Sequence, residues 1–139
     1  LKEVRQVLEG WQLAWKMSDA DTYTSYYWHK AEIRKIIVSD GKEQIEEFDV
    51  NQMRRQMENI FSQGPSYKIG EPKLEAGSDA ARATFEFFKE TPAEAYNKDI
   101  IKHDKWIKEL LFKKIKGNWK IVRENWNIYK GIPEYTRKW

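Results

Sequence analysis

Four side chains on predicted strands have the chemistry for general acid–base work: His103, Asp104, Glu109 and Glu124. That work needs a carboxylate or imidazole whose pKa is displaced inside an apolar pocket. Glu109 and Glu124 fall on neighbouring strands of one predicted hairpin, and a surface ion pair across it with Lys or Arg is the favoured reading of both. His103 and Asp104 are consecutive, and consecutive strand residues point to opposite faces, so they are poorly placed to act as base and orienter. The chain has only two histidines, His29 and His103, neither with a partner at ligand spacing, and it has no cysteine. A metal site is therefore not expected, and disulfides and thiolate sites are excluded. No Gly-x-Ser-x-Gly motif, Cys/His pattern or glycine-rich phosphate loop is present. The residues name no catalytic set and no cofactor.

The aromatic residues offer more: seven Trp, seven Tyr and six Phe in 139 residues. Trp11, Trp15, Tyr23, Tyr27 and Trp106 could form a wall that stacks on a sugar ring or an apolar ligand. With Glu109 as their carboxylate, they make up the candidate ligand-binding set. The competing reading makes the helical part of this set plain core, and for Trp11 that reading is preferred. Tyr26, Trp28, Trp126, Tyr129, Tyr135 and Trp139 are harder to bury together. Some of them are expected on an outer sheet face, as an association surface between copies of the chain.

These residues need elements to hold them. Val4, Val7, Leu8, Trp11, Ala14 and Trp15 recur at three- and four-residue spacing, which predicts a first helix with one buried stripe. Ser18 and Asp21 form a capping-box pattern for a short second helix, with Ala20, Tyr23 and Tyr27 on one side. A strand over 33–39, the turn Asp40-Gly41 and a strand over 43–48 read as a hairpin. A third helix begins at Asp49, with Gln52 completing its capping box and Phe48 and Met53 in the hydrophobic-staple positions. Val50, Met53, Met57, Ile60 and Phe61 give its stripe, and Gly64-Pro65 ends it. One strand follows over 67–75, with Pro72 making its middle an edge or a bulge, and a second over 81–89, then a loop over 91–97. Two long strands, 100–115 and 119–129, are joined at Lys116-Gly117-Asn118.

This order predicts an α+β fold: a curved antiparallel sheet with three helices gathered on its concave face, enclosing a cone. The length suits a single domain over 1–139. With 34% charged residues and no apolar run near 18 residues, nothing is expected to span a membrane. The net charge of +3 is uneven, with 13 Lys/Arg against 17 Asp/Glu over 1–97 and 12 against 5 over 98–139. A basic half can mark nucleic acid or an anionic surface, but Lys-rich solvent faces on edge strands are the preferred reading. A start at Leu1, with no signal-like segment, reads as an excised domain or mature fragment.

Two stretches carry a resemblance. Ala14-Trp15-Lys16-Met17-Ser18-Asp19-Ala20-Asp21-Thr22-Tyr23, continuing to Tyr26-Tyr27, is similar to the helix 1 to helix 2 corner of the nuclear transport factor 2-like (NTF2-like, or SnoaL-like) superfamily. The stretch from Lys108 to Lys114, followed by Gly117-Asn118-Trp119-Lys120-Ile121, is similar to that superfamily's closing hairpin. Within it, both stretches most resemble the domain appended to bacterial L,D-transpeptidase-like cell-shape proteins, which trim or crosslink peptidoglycan. The resemblance implies a non-catalytic accessory domain of a bacterial envelope protein, periplasmic or envelope-associated, with a cytoplasmic location still open. It would bind a small glycan or peptide ligand, such as a peptidoglycan fragment, in the cone, or pair into a homodimer through the sheet face. The transpeptidase chemistry belongs to a separate Cys-containing domain and does not transfer to a chain without Cys. The second reading is a small pocket enzyme of the isomerase, dehydratase or hydrolase kind, with Glu109 or His103 as base. A nucleic-acid or anionic-surface binder is the third.

Overall fold

A computed structural model describes the backbone of residues 2–62, 67–89 and 100–135 and the side chains of 2–62, 70–86 and 105–130. The predicted loop over 91–97, the stop at Gly64-Pro65, and the side chains of His103, Asp104, Tyr135 and Trp139 lie outside those described residues.

Helix α1 (Lys2–Lys16) buries Val4, Leu8, Trp11, Ala14 and Trp15, the stripe expected from spacing. It ends differently from expectation. Ser18 takes a left-handed φ of 55° and is the C′ residue of α1, not the cap of the next helix. Its N–H donates to the Trp15 carbonyl at 3.1 Å, and the Asp19 N–H donates to that of Ala14 at 3.0 Å, which closes a Schellman turn. Asp19 then caps α2 (Ala20–Ser25), its carboxylate accepting from the Thr22 N–H at 3.1 Å and the Thr22 hydroxyl at 2.6 Å. One residue thus ends one helix and starts another, which makes the corner tight.

Tyr27 also moves relative to expectation: α2 stops at Ser25, and Tyr27 opens strand β1 (Tyr27–Ser39). The Ile121 N–H donates to the Tyr26 carbonyl at 2.9 Å, drawing the chain into the sheet. Asp40 and Gly41, with φ of 52° and 74°, form the turn into β2 (Lys42–Phe48). The capping box of α3 (Val50–Ser62) is present in both directions: the Asp49 N–H donates to Gln52 Oε1 at 2.9 Å, and the Gln52 N–H donates to Asp49 Oδ1 at 2.8 Å. Met53, Met57 and Phe61 are its buried residues.

Strands β3 (Tyr67–Ile69) and β4 (Lys73–Ala76) flank the break at Pro72, and both pair with β5 (Ala80–Lys89). Strands β6 (Ile100–Ile115) and β7 (Asn118–Tyr135) turn at Lys116 and Gly117, with φ of 51° and 83°. The order along the seven-stranded sheet is β2-β1-β7-β6-β5-β3, with β4 also on β5. Every pairing is antiparallel except β1 with β7, which is parallel, so the sheet is mixed where an antiparallel one was expected. Strands of 16 and 18 residues would run roughly 50–60 Å if straight. They curl instead into an open curved sheet, and α1, α2 and α3 fill its concave face with one continuous core.

Two of the sheet's three register shifts aim the side chains of the core. Opposite the β6 step from Leu111 to Phe112, β7 advances from Arg123 to Ile121, so Val122 is an extra residue. Between Tyr27 and Glu32, β1 advances five residues while β7 advances only from Ile121 to Arg123, so 28–31 bulge from the ladder.

Candidate functional site

Trp11, Trp15, Tyr23 and Tyr27 come together, and among the described residues they pack the interior of the cone instead of lining an open wall. Trp11 packs on Tyr23 and Phe85 with ring centroids 5.1 and 5.2 Å apart, and Trp15 meets Phe61 edge-on at 5.5 Å. None of the four is more than 5% exposed. Trp106, on the inner face of β6 and half-buried, stacks on Trp126 at 6.0 Å. Trp126 was expected to be hard to bury; it is 2% exposed. Glu109 does not join them. It lies on the opposite face of β6 from Lys108 and Leu110, where it accepts from Asn125 Nδ2 at 3.0 Å and faces Arg82 at 4.0 Å. It keeps a surface ion-pair position there.

Among the described residues, two charged side chains have no exposure at all: Lys108 and Glu124. Across the sheet, Lys108 stands opposite Phe85 of β5 and Trp126 of β7, while Glu124 stands opposite Leu110. The Lys108 ammonium lies over the rings of Trp126 at 3.9 Å, Trp15 at 4.6 Å, Trp11 at 5.5 Å and Tyr23 at 5.7 Å. It donates to the Tyr23 hydroxyl at 3.1 Å and sits 4.0 Å from Glu124 Oε2. The Tyr27 hydroxyl donates to Glu124 Oε1, and the Trp11 indole N–H donates to the Tyr27 oxygen at 3.1 Å. A phenol has one proton. With that of Tyr27 committed to the carboxylate, Tyr23 supplies the proton across their 3.2 Å contact. A polar string therefore runs from ammonium through two phenols to carboxylate, walled by rings.

Burial dominates the electrostatics. It lowers Lys108 to about 8 against the pull of Glu124, with Lys35 adding to the lowering. It raises Glu124, opposed by the Lys108 charge, the Tyr27 hydrogen bond and the nearby Trp126 indole, which stands outside hydrogen-bond geometry. Tyr23 and Tyr27 are raised well above the usual phenol value, first by burial and then by the Glu124 charge.

Sequence reasoning missed Lys108 and took Glu124 for a surface residue. Lys108 carried a signal: with Trp106, Leu110 and Phe112 it shares the inward parity of β6. Glu124 did not. Alternation from the buried Trp119 and Ile121 would have aimed Arg123 inward, and the extra residue Val122 reverses that parity.

Among the described residues, open space lies elsewhere. A groove of about 730 Å³ forms where the β1 bulge, the end of β2 and the first turn of α3 meet. Its lining includes His29 and the charged Arg34, Glu47, Asp49 and Arg123. A smaller depression of about 310 Å³, walled by Trp28, Leu111 and Val122, shares Lys30, Glu32 and Arg123 with it. Among the described residues, no three His, Asp or Glu side chains converge as metal ligands, and no helix is long and apolar enough to cross a membrane.

The architecture is the NTF2-like, or cystatin-like, fold. An NTF2-like protein of unknown function from Shewanella baltica superposes with a TM-score of 0.67 at 15% identity, covering 91% of each chain. A Shewanella frigidimarina protein with the provisional name ketosteroid isomerase gives 0.60 at 15%, over 87% of this chain and 91% of its own. A Xanthomonas campestris protein, provisionally named a calcium/calmodulin-dependent protein kinase II association domain, gives 0.59 at 13%, over 95% and 87%. No protein-family model matches the chain, and no curated protein matches it in sequence. At such identities the likeness is one of fold, and the fold hosts many functions.

Proposed function

We propose that the chain is a non-catalytic binding domain of a bacterial envelope protein, and that its ligand, a peptidoglycan fragment, lies in the groove beside the β1 bulge. The observation that carries this reading is the filled cone. Trp11, Trp15, Tyr23, Phe85 and Trp126 occupy the interior, and Lys108 and Glu124 answer one another there. The groove, by contrast, is open and lined by charges of both signs. A peptide-bearing amino sugar carries carboxylates, an amine and hydroxyls, which suits Arg34 and Arg123 on one side and Glu47 and Asp49 on the other. The envelope context comes from the motif resemblance at the Trp15–Tyr27 corner.

The test is a two-dimensional NMR titration with a disaccharide-tetrapeptide. Amide shifts confined to His29, Arg34, Arg123 and Asn125, weakened in Arg123→Glu, are expected. Shifts that instead centre on the indole signals of Trp11, Trp15 and Trp126, or none at millimolar ligand, would overturn the groove assignment.

The pocket-enzyme reading rests on one observation, the displaced pKa values of Lys108 and Glu124 in the cone. Its residues would be these two rather than Glu109 or His103. Turnover of a ketosteroid by the wild-type chain, lost in Glu124→Gln, would favour it over the binding domain.

A further inference from the structure

We propose that the interior of the cone is a recognition site for a primary alkylammonium ion, which the chain fills with its own Lys108 side chain. Four ring faces, from α1, α2 and β7, surround Nζ at 3.9–5.7 Å, a phenol oxygen accepts from it at 3.1 Å, and a carboxylate stands 4.0 Å away. Ring faces closing on a cation beside one anion are the chemistry by which proteins bind organic ammonium ligands. Burial alone does not account for it. An inward position on β6 between Phe85 and Trp126 takes Leu or Met without the desolvation cost that a fully buried ion pair carries. Here α1, α2 and β7 all converge on the ammonium.

The Lys108 stem enters from the sheet, so cutting it back at Cβ removes a butylammonium-sized piece and leaves the rings and Glu124 in place. Such a variant is a receptor for the missing piece. In Lys108→Ala, n-propyl- or n-butylammonium chloride is expected to raise Tm by about 4 °C or more and to saturate in the millimolar range. It is also expected to change tryptophan emission. Equal concentrations of n-butanol or sodium chloride are expected to leave Tm unmoved. Wild-type protein, its cage occupied, is expected to respond to none of them. The idea fails if Lys108→Ala answers butanol and butylammonium alike, or neither.

Should Lys108→Ala not fold, Lys108→Met decides. This neutral side chain of similar length is expected to be clearly less stable than wild type, and Glu124→Gln in the same chain is expected to restore most of the loss. Wild-type stability in Lys108→Met alone would show that the cage has no preference for a cation. Neither arm depends on the groove ligand, so the groove assignment and the cage can fail separately.

Discussion

The interior of the cone and the groove beside it hold the same kinds of charge under opposite conditions. Lys108 and Glu124 are sealed from water, whereas Arg123 and Glu32 face each other at 3.4 Å with 56% and 78% of their side chains exposed. Inside, each charge depends on the other, because either one alone would sit uncompensated in a low dielectric. In the groove, water screens each charge, and the pair contributes little to folding. The cone is therefore the part of the molecule where removing one charge is costly, and the groove is the part free to be shaped for a ligand.

Breaking the inner pair is expected to give the largest effect. Glu124→Ala is expected to cost about 3–5 kcal/mol in urea denaturation, as removal of one partner from a buried pair does. A loss below about 1 kcal/mol would make inside and outside equivalent and erase the contrast.

The pH dependence comes next. The folded-state pKa of Lys108, about 8, lies below the free value of 10.5, so between them the unfolded chain binds more protons than the folded one. The cost of burying this ammonium is fully present below pH 8 and is relieved as pH rises towards 10.5. Wild-type stability is expected to gain up to about 3 kcal/mol over that window relative to Lys108→Met. Parallel curves for the two proteins would contradict it.

One groove residue is structural. Asp49→Ala removes an N-cap and half of a capping box and is expected to cost about 1 kcal/mol, measured by thermal melting. The smallest effect belongs to Arg123→Ala, expected to change stability by less than about 0.5 kcal/mol while weakening the muropeptide shifts. A large destabilisation there would move the groove into the structural half of the comparison.

The elements were legible wherever local chemistry decides. The Trp11–Trp15 stripe, the Asp49–Gln52 box and the Asp40-Gly41 turn all stand as read, whereas the single strand read over 67–75 is two, β3 and β4, parted around Pro72. The cap of α2 was off by one residue, because Ser18 was needed to finish α1 in a left-handed turn. The site was less legible. Glu109 and Glu124 look alike along the chain, yet one is on the surface and the other is sealed.

What the sequence determined by itself was periodicity and punctuation: helical stripes, turns, caps and the alternation of β6 up to Lys108. Each depends on residues within about one turn or one hairpin of each other. Only the tertiary structure decided which charges lie inside. That outcome depends on one extra residue at Val122, which reverses the facing of β7 from Arg123 to Ile128. It depends as well on α1 and α2 bringing Trp11, Trp15 and Tyr23 to a lysine some 90 residues away, where rings, phenol and carboxylate together make a buried ammonium tolerable.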